Sequence, residues 1–274
     1  MYRLLSVFVI ITAGLVSTTL NAETIATPSL INPRLRLDPA PARPGVLRFL
    51  TTDDNPPFNF LTPDGALAGF NIDLARAICQ QIKTACTIQA RRADLFADGL
   101  SSNAGDALIP APTDGDADNS RSLPYLPRAA RFAIRNGAPA LNEASVATLK
   151  GRTVGVVAES PYAAFLTRYV PDARQQSFGS LTELLDAFAK GTVDLVFADA
   201  ADLAFWLNGV TAAGCCAFVP GAFLDAKLFG AGLTIATRAK DEDLRRAIDS
   251  AIAQLDANGT MTELYLRYFP IPIF

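Results

Sequence analysis

From Val46 onward, short apolar runs alternate with amphipathic stretches. Residues 47–52 are apolar and β-prone, and the turn cluster Asp53-Asp54-Asn55-Pro56-Pro57 ends them. Phe58-Asn59-Phe60 follows, then a second turn at Pro63-Asp64-Gly65. Asn71 is placed to cap a helix whose stripe is Leu74, Ile78 and Ile82. The same reading predicts strands at 86–90, 106–109 and 129–134, a helix at 93–102, and a connector at 137–150. A second series follows: strand 153–157, helix 161–169, strand 174–178, helix 181–190, strand 193–197 and helix 201–207. A strand at 232–237 and two helices complete the pattern. The first of these helices carries the stripe Leu244, Ile248, Ile252 and Leu255, with Asp241, Glu242 and Asp243 at its start and Gly259 as its stop; Thr260 is placed to cap the second. Such alternation predicts an α/β chain with mainly parallel sheets covered by helices. Two series joined by single extended crossings predict two lobes with a cleft between them, and ligands in open α/β sheets sit at the carboxyl ends of strands.

Residues 1–45 follow different rules. Arg3 is followed by an uncharged apolar run, 4–20, and Ala22 can precede a cleavage site, so 1–22 reads as a signal peptide for export to the periplasm. A membrane anchor is the competing reading; no basic stop-transfer cluster follows the run, and no cysteine is there to carry a lipid. Residues 23–45 hold Pro28, Pro33, Pro39, Pro41 and Pro44 without periodicity and read as a linker.

Composition narrows the chemistry. The net charge of −3 argues against nucleic acid as a partner. With no histidine in the chain, Ser-His-Asp and Cys-His catalysis and His-ligated metals are excluded. No cofactor is called for. Asp114-Gly-Asp116-Ala-Asp118 has part of a calcium-loop spacing, but Asn119 and Tyr125 stand where the turn glycine and the bidentate Glu belong, so a solvated acidic loop is expected.

Pro57-Phe58, Asp64-Gly65, Leu67, Gly69-Phe70 and Asp73-Leu74-Ala75 stand at fixed spacings. This segment resembles the opening of family 3 extracellular solute-binding proteins, the receptors of polar amino acid ABC transporters. The resemblance runs from Val46 to the C-terminus. It implies a two-lobed, type II periplasmic-binding-protein fold with two crossovers, lobe 1 being 46–134 plus 236–274 and lobe 2 being 138–230. It also implies closure around a small polar ligand, an ABC transporter permease as partner, a monomer, and no enzymatic activity. Two alternatives stay open: a periplasmic enzyme on the same scaffold, similar to cyclohexadienyl dehydratases, and a sensing or scaffolding subunit that has lost transport-type binding.

After export, thiols meet an oxidising compartment. A chain reversal between Cys79 and Cys86 can bring them within bridging distance, and the passage resembles the bridged helix-strand corner of lysine/arginine/ornithine- and histidine-binding proteins. For Cys215-Cys216, a vicinal disulfide, two reduced buried thiols and intermolecular pairing all remain open.

The resemblance places four segments at the cleft. In the turn 53–58, Asn55 and Phe58 are ligand candidates, Asn55 standing where histidine-binding relatives carry tyrosine and Thr52 where they carry aspartate. Ala93 stands where an aromatic platform is usual, before Asp94; Arg91 and Arg92 beside it read as strand-end charges in solvent. The loop after strand 106–109 lacks the family's carboxylate-gripping arginine, whose place falls on Gly115 or Asp118. No basic residue occurs from Ala93 to Ser120, and Arg121 is the nearest substitute. Ordinary α-amino acids are therefore expected to bind poorly. In lobe 2, Ser160 opens a helix after Val154-Gly-Val-Val-Ala-Glu159, a turn suited to an anion. Asp199 matches the aspartate that pairs with a ligand α-amino group; it is equally placed to cap a helix, and the two roles are compatible.

Overall fold

The computed structural model describes residues 45–112, 119–270 and 272–274. The segments read from sequence as signal peptide and linker lie outside these residues, apart from Gly45, as do Asp114, Gly115, Asp116 and Asp118 of the acidic loop.

The strands are β1 (Val46–Thr51), β2 (Asp54–Asn55), β3 (Asn59–Leu61), β4 (Leu67–Ala68), β5 (Ala85–Ala90), β6 (Ala107–Leu108), β7 (Asn119–Arg121), β8 (Ala130–Arg135), β9 (Thr153–Val157), β10 (Arg174–Phe178), β11 (Leu195–Asp199), β12 (Cys216–Phe218) and β13 (Ala236–Arg238). The helices are α1 (Phe70–Ile82), α2 (Ala93–Phe96), α3 (Val146–Leu149), α4 (Pro161–Tyr169), α5 (Leu181–Ala189), α6 (Ala200–Asn208), α7 (Glu242–Ala257) and α8 (Thr260–Tyr268).

One five-stranded sheet has the order β5-β1-β6-β13-β7, a second has the order β10-β9-β11-β8-β12, and β2-β3-β4 form a small third. The chain passes from the first large sheet to the second between β7 and β8, and returns between β12 and β13. The parallel pairs β1–β5, β1–β6, β9–β10 and β9–β11 are joined by antiparallel ones, β8 with β11 and β12, and β13 with β6 and β7. The sheets are thus mixed rather than mainly parallel. Strands that arrive from the other lobe enter against the local direction, which periodicity within one strand cannot reveal.

Each large sheet carries an apolar core, and the first of these reaches across to Ala200, Ala201 and Ala204 of α6. Phe49, Phe70, Leu74, Ile78, Ile248 and Ile252 lie in one; Phe132, Val156, Leu166, Leu195 and Phe197 lie in another. The two crossings touch each other: the Leu233 N–H donates to Leu126 O at 2.7 Å and the Tyr125 N–H to Leu233 O at 2.8 Å. Gly232, at φ 136°, permits this approach, because a Cβ there would strike the Leu126 carbonyl oxygen. No helix among the described residues is long and apolar enough to cross a membrane.

Two expected caps differ. Asn71 lies inside α1, whose N-cap is Gly69. The Asn71 carboxamide is fully buried instead, donating to Asn59 Oδ1 and accepting from Tyr125 Oη, both at 2.8 Å. Gly69 holds φ 128° with its Cα against the Phe58 carbonyl, so the glycine of the sequence motif is sterically required. Thr260 is the first residue of α8, after Gly259 in the left-handed region. The helix expected at 93–102 is shorter, α2 followed by one 3-10 turn at Ala97–Gly99.

The Cys79 and Cys86 sulfurs are 2.06 Å apart, and those of Cys215 and Cys216 are 2.03 Å apart. Replacing Cys79 and Cys86 together by serine is expected to cost about 2–3 kcal/mol, as a short closed loop allows. Urea denaturation of the pair variant checks this, with non-reducing peptide mapping of the parent to establish the bridge.

Candidate functional site

A cavity of about 330 Å³ lies where the crossings, the 53–58 turn and the end of β11 converge. Its lining includes Asn55, Phe58, Phe96, Arg128, Asp199 and Asp202, with Leu126, Leu233 and Ile273 as apolar wall. Of the residues singled out from sequence, the structure brings Asn55, Phe58 and Asp199 together here.

The turn is fixed from beneath. Asn59 is buried and donates through Nδ2 to Thr52 O at 3.1 Å and Thr52 Oγ1 at 2.9 Å. Its own carbonyl accepts from Asn71, which in turn accepts from the Tyr125 hydroxyl. This buried polar chain satisfies its members mutually, as groups removed from water require. It ties the turn to α1 and to the first crossing. Phe58 packs against Phe269, ring centres 5.6 Å apart, and presents its remaining face to the cavity.

Asp199 is the last residue of β11 and the N-cap of α6. Its Oδ1 accepts from the backbone N–H of Ala201 at 2.8 Å and of Asp202 at 3.4 Å. Its Oδ2 accepts from the Tyr162 hydroxyl at 3.0 Å, and burial together with the Asp199 charge pushes that phenol well above its usual range. Arg128 Nε lies 3.8 Å from the same Oδ2. Asp202 is half-buried, one turn along; desolvation first, and the Asp199 charge second, push its carboxyl up to about 7, with Arg128 opposing.

Ser160 and Arg121 are placed elsewhere. Ser160 caps α4: its hydroxyl accepts from the Ala163 N–H at 3.1 Å and donates to Val157 O at 2.6 Å, and it is not among the cavity-lining residues. Glu159, where the family has glycine, adopts a left-handed φ of 54°. Arg121 donates to Pro112 O and, at 3.4 Å, to Thr234 Oγ1, so its fork is spent on closing β7 over the loop. Arg92 pairs with Asp94 at the surface, and Asp106 lies between Arg48 at 2.9 Å and Arg238 at 3.1 Å. The surroundings of the cleft are therefore less acidic than the aspartate count suggests.

Sequence reading missed Phe96, Arg128 and Asp202. Phe96 lies one helical turn beyond Ala93 and lines the cavity; an i, i+3 reading of 93–96 carries that signal. Arg128 belongs to the apolar approach to β8, and only the folding of the crossing beside α6 brings it to Asp199. Among the described residues no cluster of three or more Cys, Asp or Glu side chains is arranged for a metal.

The raised Asp202 carboxyl has a pH consequence of fixed sign. The folded chain keeps this proton up to about pH 7, whereas an unfolded aspartate loses it near about pH 4. Stability falls as pH rises through that window, because the folded state binds more protons there. Asp202→Asn is expected to remove this fall. Thermal melting should give a higher Tm than the parent at about pH 8 and nearly the same Tm at about pH 4.

Residues 47–271 match the family described as bacterial extracellular solute-binding proteins, family 3. The L-arginine-binding protein of Pseudomonas aeruginosa is 32% identical over 225 residues, covering 80% of this chain and 86% of the relative. The histidine-binding periplasmic protein of Salmonella typhimurium is 27% identical over 241 residues, covering 85% and 91%. In structure, the second substrate binding domain of Lactococcus lactis GlnP, in its open conformation, superposes with a TM-score of 0.73 at 17% identity, covering 85% of this chain and 99% of that domain. The two sheets crossed twice by the chain, the cleft between them and the match along residues 47–271 agree: this chain is a member of family 3 of the bacterial extracellular solute-binding proteins.

Proposed function

We propose that the chain is a periplasmic receptor that captures a small, polar, amino-acid-like ligand between its lobes and delivers it to the permease of an ABC importer. The observation that carries this reading is the position of Asp199: a carboxylate on a rigid strand end, lining the cavity where both crossings meet. One of its oxygens is committed to α6, and the other faces polar groups that a ligand ammonium can join. Asn55 and Phe58 on the lobe 1 side supply a polar edge and an apolar face opposite it. Lobe 1, built on the first large sheet, and lobe 2, built on the second and starting with β8 at Ala130 rather than after residue 134, close on the ligand by rotation about the paired crossings. The arginine- and histidine-binding names of the relatives support an amino acid as the ligand class.

A second reading rests on one observation. Asp202 holds a proton near neutral pH beside another carboxylate and a guanidinium, a condition suited to general acid catalysis. Turnover of prephenate by the purified chain would establish that enzymatic reading in place of transport.

Calorimetry against the common amino acids tests the receptor reading. Asp199→Asn keeps the capping oxygen and removes the charge, so affinity for the bound amino acid is expected to fall about 30-fold or more. The apo Tm should stay near the parent value, and ligand-induced stabilisation should shrink in step with affinity. A variant with a lowered apo Tm and parent affinity would make Asp199 a structural cap and remove it from the binding site.

A further inference from the structure

Arg128 lines the cavity with its side chain one-third exposed, at 33%. Among the described residues it has no hydrogen-bond acceptor; its one charged contact is Asp199 at 3.8 Å, too long for a hydrogen bond. The arginines on β1, β7, β8 and β13 are engaged. Arg131 donates to Pro272 O at 2.6 Å and Val219 O at 3.1 Å; Arg121 closes on Pro112; Arg48 and Arg238 share Asp106. A guanidinium presents five donors in a rigid fork, and a planar carboxylate is the partner that fills two of them at once. Asp199 cannot be that partner in the present arrangement, since Oδ1 serves α6 and Oδ2 accepts from Tyr162.

The sequence removes the usual alternative. No lysine or arginine occurs between residues 93 and 120, so the loop after β6 has no cation to offer whatever its path. Among the described residues lining the cavity, Arg128 is the only basic one. It stands beside the one carboxylate placed to receive an ammonium, so the cleft presents neighbouring opposite charges at a separation that suits the α-ammonium and α-carboxylate of one amino acid.

We propose that Arg128 is a specificity-determining residue of this cleft: it grips the α-carboxylate of a ligand whose α-ammonium pairs with Asp199, so the anion grip comes from the crossing before β8 rather than from the loop after β6. This rests on the amino acid receptor reading and revises the expectation that ordinary α-amino acids bind poorly. That expectation followed from a missing arginine that the crossing supplies. Asp202, on the same wall, can give up its proton to a cationic side chain brought beside it, so ligands with such side chains are the first probes to try.

The test pairs each amino acid with its decarboxylated amine: L-arginine with agmatine, L-lysine with cadaverine, L-histidine with histamine. Calorimetric titration of the full chain is expected to show a preference of about tenfold or more for the acid of the best-binding pair. In Arg128→Met that preference should fall to about one, through loss of acid binding, with amine binding equal or tighter because Asp199 is freed from its neighbour. Arg128→Lys should restore part of the preference, since a point charge lacks the fork. Melting curves of both variants check that they are folded. Equal loss of acid and amine in Arg128→Met, or an undiminished preference, would overturn the assignment while leaving the receptor reading intact. Equal binding of acid and amine by the parent would do the same. A parent chain that binds none of the six probes and no other common amino acid would overturn the receptor reading and this assignment together.

Discussion

The carboxylate of Asp199 is the constraint around which the cleft is organised. Its Oδ1 terminates one element and begins another, satisfying two N–H groups at the start of α6 that would otherwise be orphaned at a half-buried helix end. The same residue pairs in register with Ala130 of β8, and the Ala200 N–H donates to Ala129 O at 2.9 Å. Side chain and backbone together therefore make this one position the junction of the end of β11, the start of α6 and the lobe 2 end of the first crossing. Its charge then governs its neighbours. Asp202 cannot ionise freely beside it in a desolvated wall, and Tyr162 holds its proton and donates it as a hydrogen bond. Arg128 is the counter-charge that makes two carboxylates on one helix turn tolerable.

The lobe 1 side is organised by the opposite means, a buried neutral network. Thr52, Asn59, Asn71 and Tyr125 exchange hydrogen bonds with no charge among them. Each lost partner would leave a buried amide or hydroxyl unsatisfied, which costs more than the hydrogen bond gains. The turn bearing Asn55 and Phe58 thus has its position set independently of any ligand. One wall of the cavity is held by electrostatics and the other by satisfied polar groups.

Much of this was legible in the chain. The strands β9 and β10 and the helix α4 fall where periodicity places them, because each has a clear apolar face over a full element. Asp199 came into view through the family resemblance at Phe197-Ala198-Asp199, and the helix cap read beside it is the role its Oδ1 plays in α6. What was not legible depended on pairing in space. Asn119–Arg121 and Cys216–Phe218 are strands only because a neighbour offers an edge; three residues carry no alternation of their own. Asn71 looked like a cap because sequence shows the helix onset but not Tyr125 arriving 54 positions later. Arg128 sits among prolines and alanines in Pro127-Arg128-Ala129-Ala130, and nothing local distinguishes a charge bound for solvent from one that meets α6. Arg121 attracted attention through position alone, and its hydrogen bonds to Pro112 and Thr234 account for it.

Arg131 stands on β8 in the second sheet and lies over the Phe218 ring at 4.0 Å, yet it donates to the carbonyl of Pro272, whose neighbours Ile273 and Phe274 pack into the core of the first lobe. Ile273 in turn forms part of the cavity wall and donates through its N–H to Tyr265 Oη at 2.9 Å. The cavity is therefore a joint product of two bodies stitched at a third point besides the covalent crossings. The lobes are not interchangeable modules: a chimera that combined this second lobe with the first lobe of another relative would inherit a buried guanidinium without its carbonyl, and a cleft missing part of its wall. Exchange between such receptors has to move Arg131 and residues 272–274 as one unit, although 141 positions separate Arg131 from its partner Pro272.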